Sequence, residues 1–312
     1  MLPDIASKRM PVLDRFGLIN DLFALVNAGR VSISQFVSVA AASLHEDEYV
    51  VWGAIDEGLS RFSNVALHIN DETKQRVNKL YVKLFAEAGA KLGFVEEAGE
   101  DSQKMMLRSQ QSNKFTEMFN DHVEKQTPLH PDIRLAVFGN AARNGGKEAF
   151  DRLLKIRETT TFGEIDRQCI VAMSQTPDEA LLTQLFDYGI GQNKVRPQDQ
   201  LYLFLGTGAT RMAQDFAWKY FKQNIKSFMS KYGGANSSLF QRCLKFSGEN
   251  FSTEAQAKEF QDYFCSCEEL TDVDRQTLTR PIGQTVESIR LGARLLEANR
   301  EAIENLLKQH NL

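Results

Sequence analysis

From residue 12 to residue 127 the chain contains no proline, and only seven occur in all 312 residues: Pro3, Pro11, Pro128, Pro131, Pro177, Pro197 and Pro281. Proline removes a backbone donor and clashes with the preceding helical turn, so a run this long without it leaves helices uninterrupted. Apolar residues along the chain recur at spacings of three and four, and clean period-two alternation bounded by turn residues does not recur. The chain therefore reads as almost wholly α-helical. From Met212 to Tyr232, for example, Phe216, Tyr220, Phe221, Ile225, Phe228 and Met229 share one side of a helical wheel, with Lys219, Lys222, Gln223 and Lys226 mostly turned away. Trp218 falls on that apolar face and is expected in the core, near Phe221 and Phe228. The last segment repeats the pattern with Val286, Ile289, Ala293, Leu296, Ile303 and Leu307.

Local chemistry places the helix starts in the middle of the chain. Pro131-Asp132 opens one helix and Gly145-Gly146 ends it; Thr161 to Glu164 reads as a capping box; Pro177-Asp178, Pro197 and Ala209-Thr210 open three more. With starts near residues 131, 146, 162, 178, 197 and 211, two successive helices make a unit of roughly 31 to 35 residues, the size of a helical-hairpin repeat. No consensus recurs from unit to unit. An irregular, curved and concave α-solenoid of antiparallel pairs, of HEAT or armadillo type, fits this spacing, with a closed bundle as the alternative. A solenoid would be more extended than a globule of equal length. The polar stretch Val95 to Lys104 reads as an exposed loop between a first helical group, about 14–94, and a main array, 102–312, both within one domain; Ser102 is placed to cap the helix after it.

Composition narrows the function. The balance of 37 Lys plus Arg against 41 Asp plus Glu gives a net charge of −4, and 42% hydrophobic residues rule out disorder as the main state. Without a concentrated basic stripe, a nucleic-acid partner is not expected. The longest uncharged run, Val31 to Leu44, is too short and too rich in serine to span a bilayer, so no membrane partner is expected either. Residues 1–10 carry Asp4, Lys8 and Arg9 and read as neither signal peptide nor anchor, and the abrupt start suits an excised piece of a larger protein. Four cysteines, Cys169, Cys243, Cys265 and Cys267, are too few for a disulfide framework and suit a reducing compartment. The Cys265-Ser266-Cys267 motif lacks a second Cys/His pair to complete a metal site, and reads as thiols at a helix end.

Catalytic motifs fail one by one. The histidines, His45, His68, His122, His130 and His310, stand far apart, and His45-Glu46-Asp47-Glu48 is followed by Tyr49 where a zinc-protease helix needs its second histidine. His45 reads instead as a helix-boundary residue. Gly206-Thr207-Gly208 is followed by Ala209-Thr210-Arg211, with arginine in place of the third glycine of a phosphate loop, and reads as a turn between helices. No Gly-x-Ser-x-Gly elbow occurs. Residue chemistry alone gives a helical binding or structural module.

Several segments resemble, in order, the C-terminal helical domain of the M1 zinc aminopeptidases, in the branch that includes the puromycin-sensitive and endoplasmic-reticulum enzymes. They are Asp14 to Leu25 with Ala28-Gly29, Tyr49-Val50-Val51-Trp52, His130 to Arg134, Gly145-Gly146, Val195 to Asp199, Ala217-Trp218 with Asn224, Phe251-Ser252-Thr253, Glu259-Phe260 and Glu287 to Arg290. The resemblance covers essentially the whole chain. It implies a concave helical array that closes over the catalytic domain of the same polypeptide and holds the body of a peptide while its N-terminal residue is removed. Zinc and the general base belong to that upstream domain in the family; no cofactor is expected in this chain, which would be inactive alone. The branch favours a cytoplasmic location. In such a domain a peptide's C-terminal carboxylate calls for guanidinium partners, and Arg134, Arg196 and Arg211, at or near helix starts, are the candidates. Each also has a surface role open to it, Arg134 with Asp132 or Glu148 and Arg196 with Asp199. The alternative function is a free-standing helical-repeat scaffold for protein partners.

Overall fold

A computed structural model describes residues 2–43, 46, 48–70, 72–80 and 112–311. Among these residues every regular element is helical. The first group is α1 (Leu2–Ala6), α2 (Val12–Asn27), α3 (Ile33–Ala42), α4 (Tyr49–Ala66) and α5 (72–80). There follow α6 (Ser112–Lys125), α7 (Pro131–Asn144), α8 (Gly146–Thr159), α9 (Gly163–Met173), α10 (Glu179–Phe186), α11 (Leu201–Leu205), α12 (Arg211–Tyr232), α13 (Ser238–Phe246), α14 (Glu254–Ser266) and α15 (Asp272–Gln309). His45, the whole 95–104 stretch and the Ser102 cap lie outside the described residues.

Most of the expected helix starts are present, with identifiable causes, while Pro197 opens only the 3₁₀ turn Pro197–Asp199 ahead of α11. Asp178 caps α10 by accepting from the Ala180 and Leu181 amides at 2.8 and 3.2 Å, and Thr210 caps α12 by accepting from the Ala213 amide at 3.2 Å. Gly146 adopts φ +55°, which lets the chain turn between α7 and α8 with almost no linker. The capping box expected at Thr161 to Glu164 is absent. Phe162 takes the cap position of α9 without a side-chain cap bond, one residue later than expected, and the Thr160 hydroxyl accepts from the Phe162 amide instead. The Glu164 carboxylate is thereby free to accept from Gln168.

Contacts divide the chain into two units. The first comprises Met1–Lys114, His130–Ile133 and Leu291–Leu312; the second comprises Phe115–Leu129 and Arg134–Arg290. This cut differs from the expected groups at 14–94 and 102–312, because the C-terminal half of α15 joins the first helices. In the first unit α2 packs on α3 and α4, and α1 on α3. Its core is mainly aliphatic, with Ile19, Val26, Val37, Val51, Ile55 and Leu59 closed by Leu295, Leu296, Ile303 and Leu307.

The second unit has the two-layered pattern of a helical array. α8 packs on α9, α9 on α11, α11 on α13, while α10 packs on α12 and α12 on α13. Its core is aromatic. Phe186 meets Phe204, Phe216 and Tyr220 at ring separations of 5.2, 5.1 and 4.8 Å, and Phe221 stacks on Phe228 at 5.7 Å. Trp218 is buried, as its wheel position requires; it stacks on Phe260 at 4.8 Å and lies parallel to Phe221 at 6.3 Å. The Gly206–Ala209 turn is a 3₁₀ segment, and a Cβ on Gly206 would lie 2.2 Å from the Val171 carbonyl oxygen, so the turn seats directly on α9.

Candidate functional site

The three arginines singled out from the sequence all lie in the second unit, and among the described residues they share no partner. Arg134 stands in the first turn of α7 and is largely buried. Its guanidinium donates to the Gln168 side chain and to the Leu129 carbonyl, each at 3.2 Å, and its carboxylate neighbour is Glu164 at 3.9 Å. Glu148, one of the two partners expected for it, bonds Arg152 at 2.7 Å instead; the helical i,i+4 spacing makes that pairing local. Arg134 thus ties the start of α7 to α9.

Arg196 precedes the 3₁₀ turn Pro197–Asp199 and is 62% exposed along its side chain. Its Nε and Nη2 both reach Asp199 Oδ2, at 2.8 and 2.7 Å, as the sequence suggested. Because Asp199 is itself buried, the pair closes the turn and leaves the outer face of the guanidinium to solvent. Arg211, the first residue of α12, is exposed. Its charge pulls the Asp215 carboxyl down one turn later, against the larger upward push from that carboxyl's own burial.

Around these residues the polar chemistry is structural. The Glu259 carboxylate accepts from Lys222 Nζ and from the Trp218 indole, both at 2.8 Å. The Lys222 bond, opposed by partial burial and aided by the indole, holds Glu259 below the ordinary carboxylate range. Lys222 also sits 4.9 Å above the Trp218 ring. Burial pushes the Cys169 and Cys243 thiols up to about 12, which removes both as nucleophiles. Cys265 and Cys267 stand at the end of α14, the first exposed and the second buried. His122 Nδ1 lies 2.8 Å from the Thr127 carbonyl oxygen. Among the described residues no group of three or more His, Cys, Asp or Glu side chains is placed to hold a metal ion, and no helix is long and apolar enough to cross a membrane.

One feature escaped sequence reasoning. α10 runs into a π turn, Asp187–Gly191, held by Gln200, whose amide donates to the Gly189 and Val195 carbonyls at 3.1 and 2.9 Å and accepts from the Tyr232 hydroxyl at 2.6 Å. Gln200 is fully buried. A glutamine beside Asp199 reads as surface in any window, and its partners become visible only once the chain is folded. Such π turns often mark functional sites, but here the carbonyls of Asp187 and Tyr188 accept from the Gln192 and Lys194 amides at 2.8 and 3.2 Å, that of Gly189 from Gln200, and that of Ile190 from Lys231 at 3.2 Å.

Residues 1–291 match the family described as ERAP1-like C-terminal domain. The chain belongs to that family. It is 67% identical over its whole length to a puromycin-sensitive aminopeptidase of Caenorhabditis elegans, of which it spans 34%. More distant relatives are an aminopeptidase N of Lactococcus lactis subsp. cremoris, 24% identical over 98% of the chain and 37% of that protein, and an aminopeptidase M1 of Arabidopsis thaliana, 21% identical over 94% and 34%. The chain therefore corresponds to the C-terminal helical domain of the M1 aminopeptidase family, and it spans about a third of the length of the relatives it matches. Trp218 and Phe260 stack on each other, and Phe251-Ser252 is a buried lead-in to α14, with the half-buried Thr253 accepting from the Gln256 amide at 3.1 Å.

Proposed function

We propose that this domain is the lid and peptide-holding part of a cytoplasmic zinc aminopeptidase that removes N-terminal residues from peptides. Its partners are the upstream catalytic domain of the same polypeptide and the peptide substrate. The observation that carries the reading is the match of the entire chain to one third of an aminopeptidase. That coverage weighs against a free-standing scaffold.

The division of labour follows from ligand arithmetic. An open catalytic zinc site needs three protein ligands and a general base, and the described residues assemble no such set. Zinc and the base then lie in the part of the protein outside this chain, and this domain supplies surface. A peptide longer than a few residues extends away from the metal and ends in a carboxylate, which guanidinium grips with two parallel hydrogen bonds. Of the candidates Arg134, Arg196 and Arg211, the last two present exposed guanidinium groups, while Arg134 is committed between α7 and α9.

Substituting Arg211→Ala or Arg196→Ala in the full-length enzyme is expected to raise KM for long peptides with kcat unchanged, and to leave dipeptide-like substrates unaffected, because only remote uniform binding is lost. Equal loss on short and long substrates would assign the residue to folding or lid closure. The isolated chain is expected to retain no stoichiometric zinc and to leave aminoacyl-arylamides intact; one tightly held equivalent with chelator-sensitive hydrolysis would overturn the reading.

A further inference from the structure

The end of α15, beyond the matched family region, carries a polar residue where its apolar seam allows none for free. Leu296, Asn299, Ile303 and Leu306 follow one another at spacings of three and four and are all buried. Asn299, 2% exposed, sits inside this seam. Its Oδ1 accepts from the Ile33 amide at 2.8 Å, across 266 residues of sequence, and its Nδ2 donates to the Leu295 carbonyl at 3.0 Å.

The Ile33 amide belongs to the first residue of α3, where helical geometry provides no acceptor. The neighbouring amides are met locally: the Ser32 hydroxyl accepts from Ser34 at 3.2 Å, and Gln35 Oε1 accepts from Ser32 at 3.3 Å. Ile33 is therefore the one donor of that turn that needs a partner from elsewhere, and Asn299 supplies it. Five residues on, Glu304 Oε2 accepts from Arg76 at 3.0 Å and its Oε1 from the buried Thr73 hydroxyl at 3.3 Å, a second polar fastening on α5.

We propose that residues 291–309 form a register-locked clasp on the N-terminal helices, with Asn299 as the residue that sets its register. Hydrophobic contacts alone tolerate a slip of one helical turn, because Leu296, Ile303 and Leu306 can exchange places in the same groove. A slip carries Asn299 away from Ile33 and leaves the buried Ile33 amide and the Asn299 Oδ1 unpartnered, while the Nδ2 bond to Leu295 moves with the helix; the slipped state is thereby disfavoured about 5- to 150-fold. A single polar residue in an apolar helical seam fixes register in this way elsewhere.

Hydrogen exchange and methyl NMR on the full 312-residue chain test the proposal. In the wild type, the Ile33 amide and the amides of 295–307 are expected to exchange at one common rate, as a single opening. Asn299→Ala is expected to speed both about 5- to 150-fold. Asn299→Leu, which keeps the seam filled, is expected to leave 295–307 protected while exposing Ile33, and to give a second set of Ile303 and Leu306 methyl signals from the slipped register. Glu304→Gln is expected to keep one set. A single set of signals in Asn299→Leu with Ile33 still protected would overturn the proposal, as would faster exchange at Ile33 alone in Asn299→Ala, which would reduce Asn299 to a local cap.

Discussion

The two units bury different chemistry at their centres. The first encloses an ion pair: Arg15 Nε and Nη2 reach Glu46 Oε2 and Oε1 at 2.7 and 2.9 Å, with side chains 4% and 2% exposed. Each member is satisfied further. Arg15 also donates to the Met10 carbonyl, Glu46 Oε1 accepts from the Glu48 amide at 3.1 Å, and the Glu46 carbonyl accepts from the Trp52 indole at 2.9 Å. The second unit encloses mainly neutral groups: an aromatic cluster, the buried thiols of Cys169, Cys243 and Cys267 and the Gln200–Tyr232 pair, while its buried Asp199 pairs with an arginine that stays exposed. A buried charge pair contributes little net stability while whole and costs much when halved, whereas a neutral network costs only the partner left unsatisfied. The units should therefore differ in how they fail.

Halving the ion pair is the largest effect. Arg15→Ala is expected to cost about 3–5 kcal/mol of the first unit's stability, and the double variant Arg15→Met with Glu46→Leu much less, because no charge is left stranded. Denaturant melts read at each unit separately would show it, since Trp52 reports the first unit and Trp218 the second. A double variant as unstable as the single would mean that the pair is a net stabiliser and not a solvation debt.

In the second unit, Tyr232→Phe leaves Gln200 Oε1 buried without its donor and is expected to cost about 1–3 kcal/mol. The same unit should be the one sensitive to alkali. Burial raises the Tyr232 phenol and the Cys169 and Cys243 thiols, so their contribution is fully present below the unfolded thiol pKa of about 8.5 and is lost as pH rises toward about 12. A melt followed at Trp218 should fall first in that window. If Trp52 responded at the same pH, the contrast between the units would fail.

The smallest effect concerns Glu259, whose pKa is lowered by Lys222. Its contribution is present above the ordinary carboxylate pKa of about 4.3 and disappears as pH falls through the lower folded value. Since the group is half exposed, Glu259→Gln is expected to cost well under 1 kcal/mol at neutral pH. The sharper readout is the loss of the acid-side slope of stability at Trp218.

Helix identity, most helix starts and the buried face of α12 were legible from residue spacing and local caps, because each depends on neighbours within a turn or two. The Arg196–Asp199 pair was legible for the same reason. Family membership was legible from landmarks in order, and Trp218 and Phe251 to Thr253 prove to be packing and capping residues. The missing capping box at Thr161 shows the limit even of local reasoning: a shift of one residue, which puts Phe162 at the cap position of α9, undoes the match.

What the sequence determined by itself was periodicity, since a side chain's place on a helix is fixed by its number. What only the tertiary structure decided was pairing across distance: Arg134 with Gln168 in place of Glu148, Gln200 with Tyr232, Glu46 with Arg15, and Asn299 with Ile33 at the other end of the chain. The physical reason is that a polar group's cost depends on whether its partner arrives. That partner is chosen by which helices stack, and no spacing along the chain encodes it.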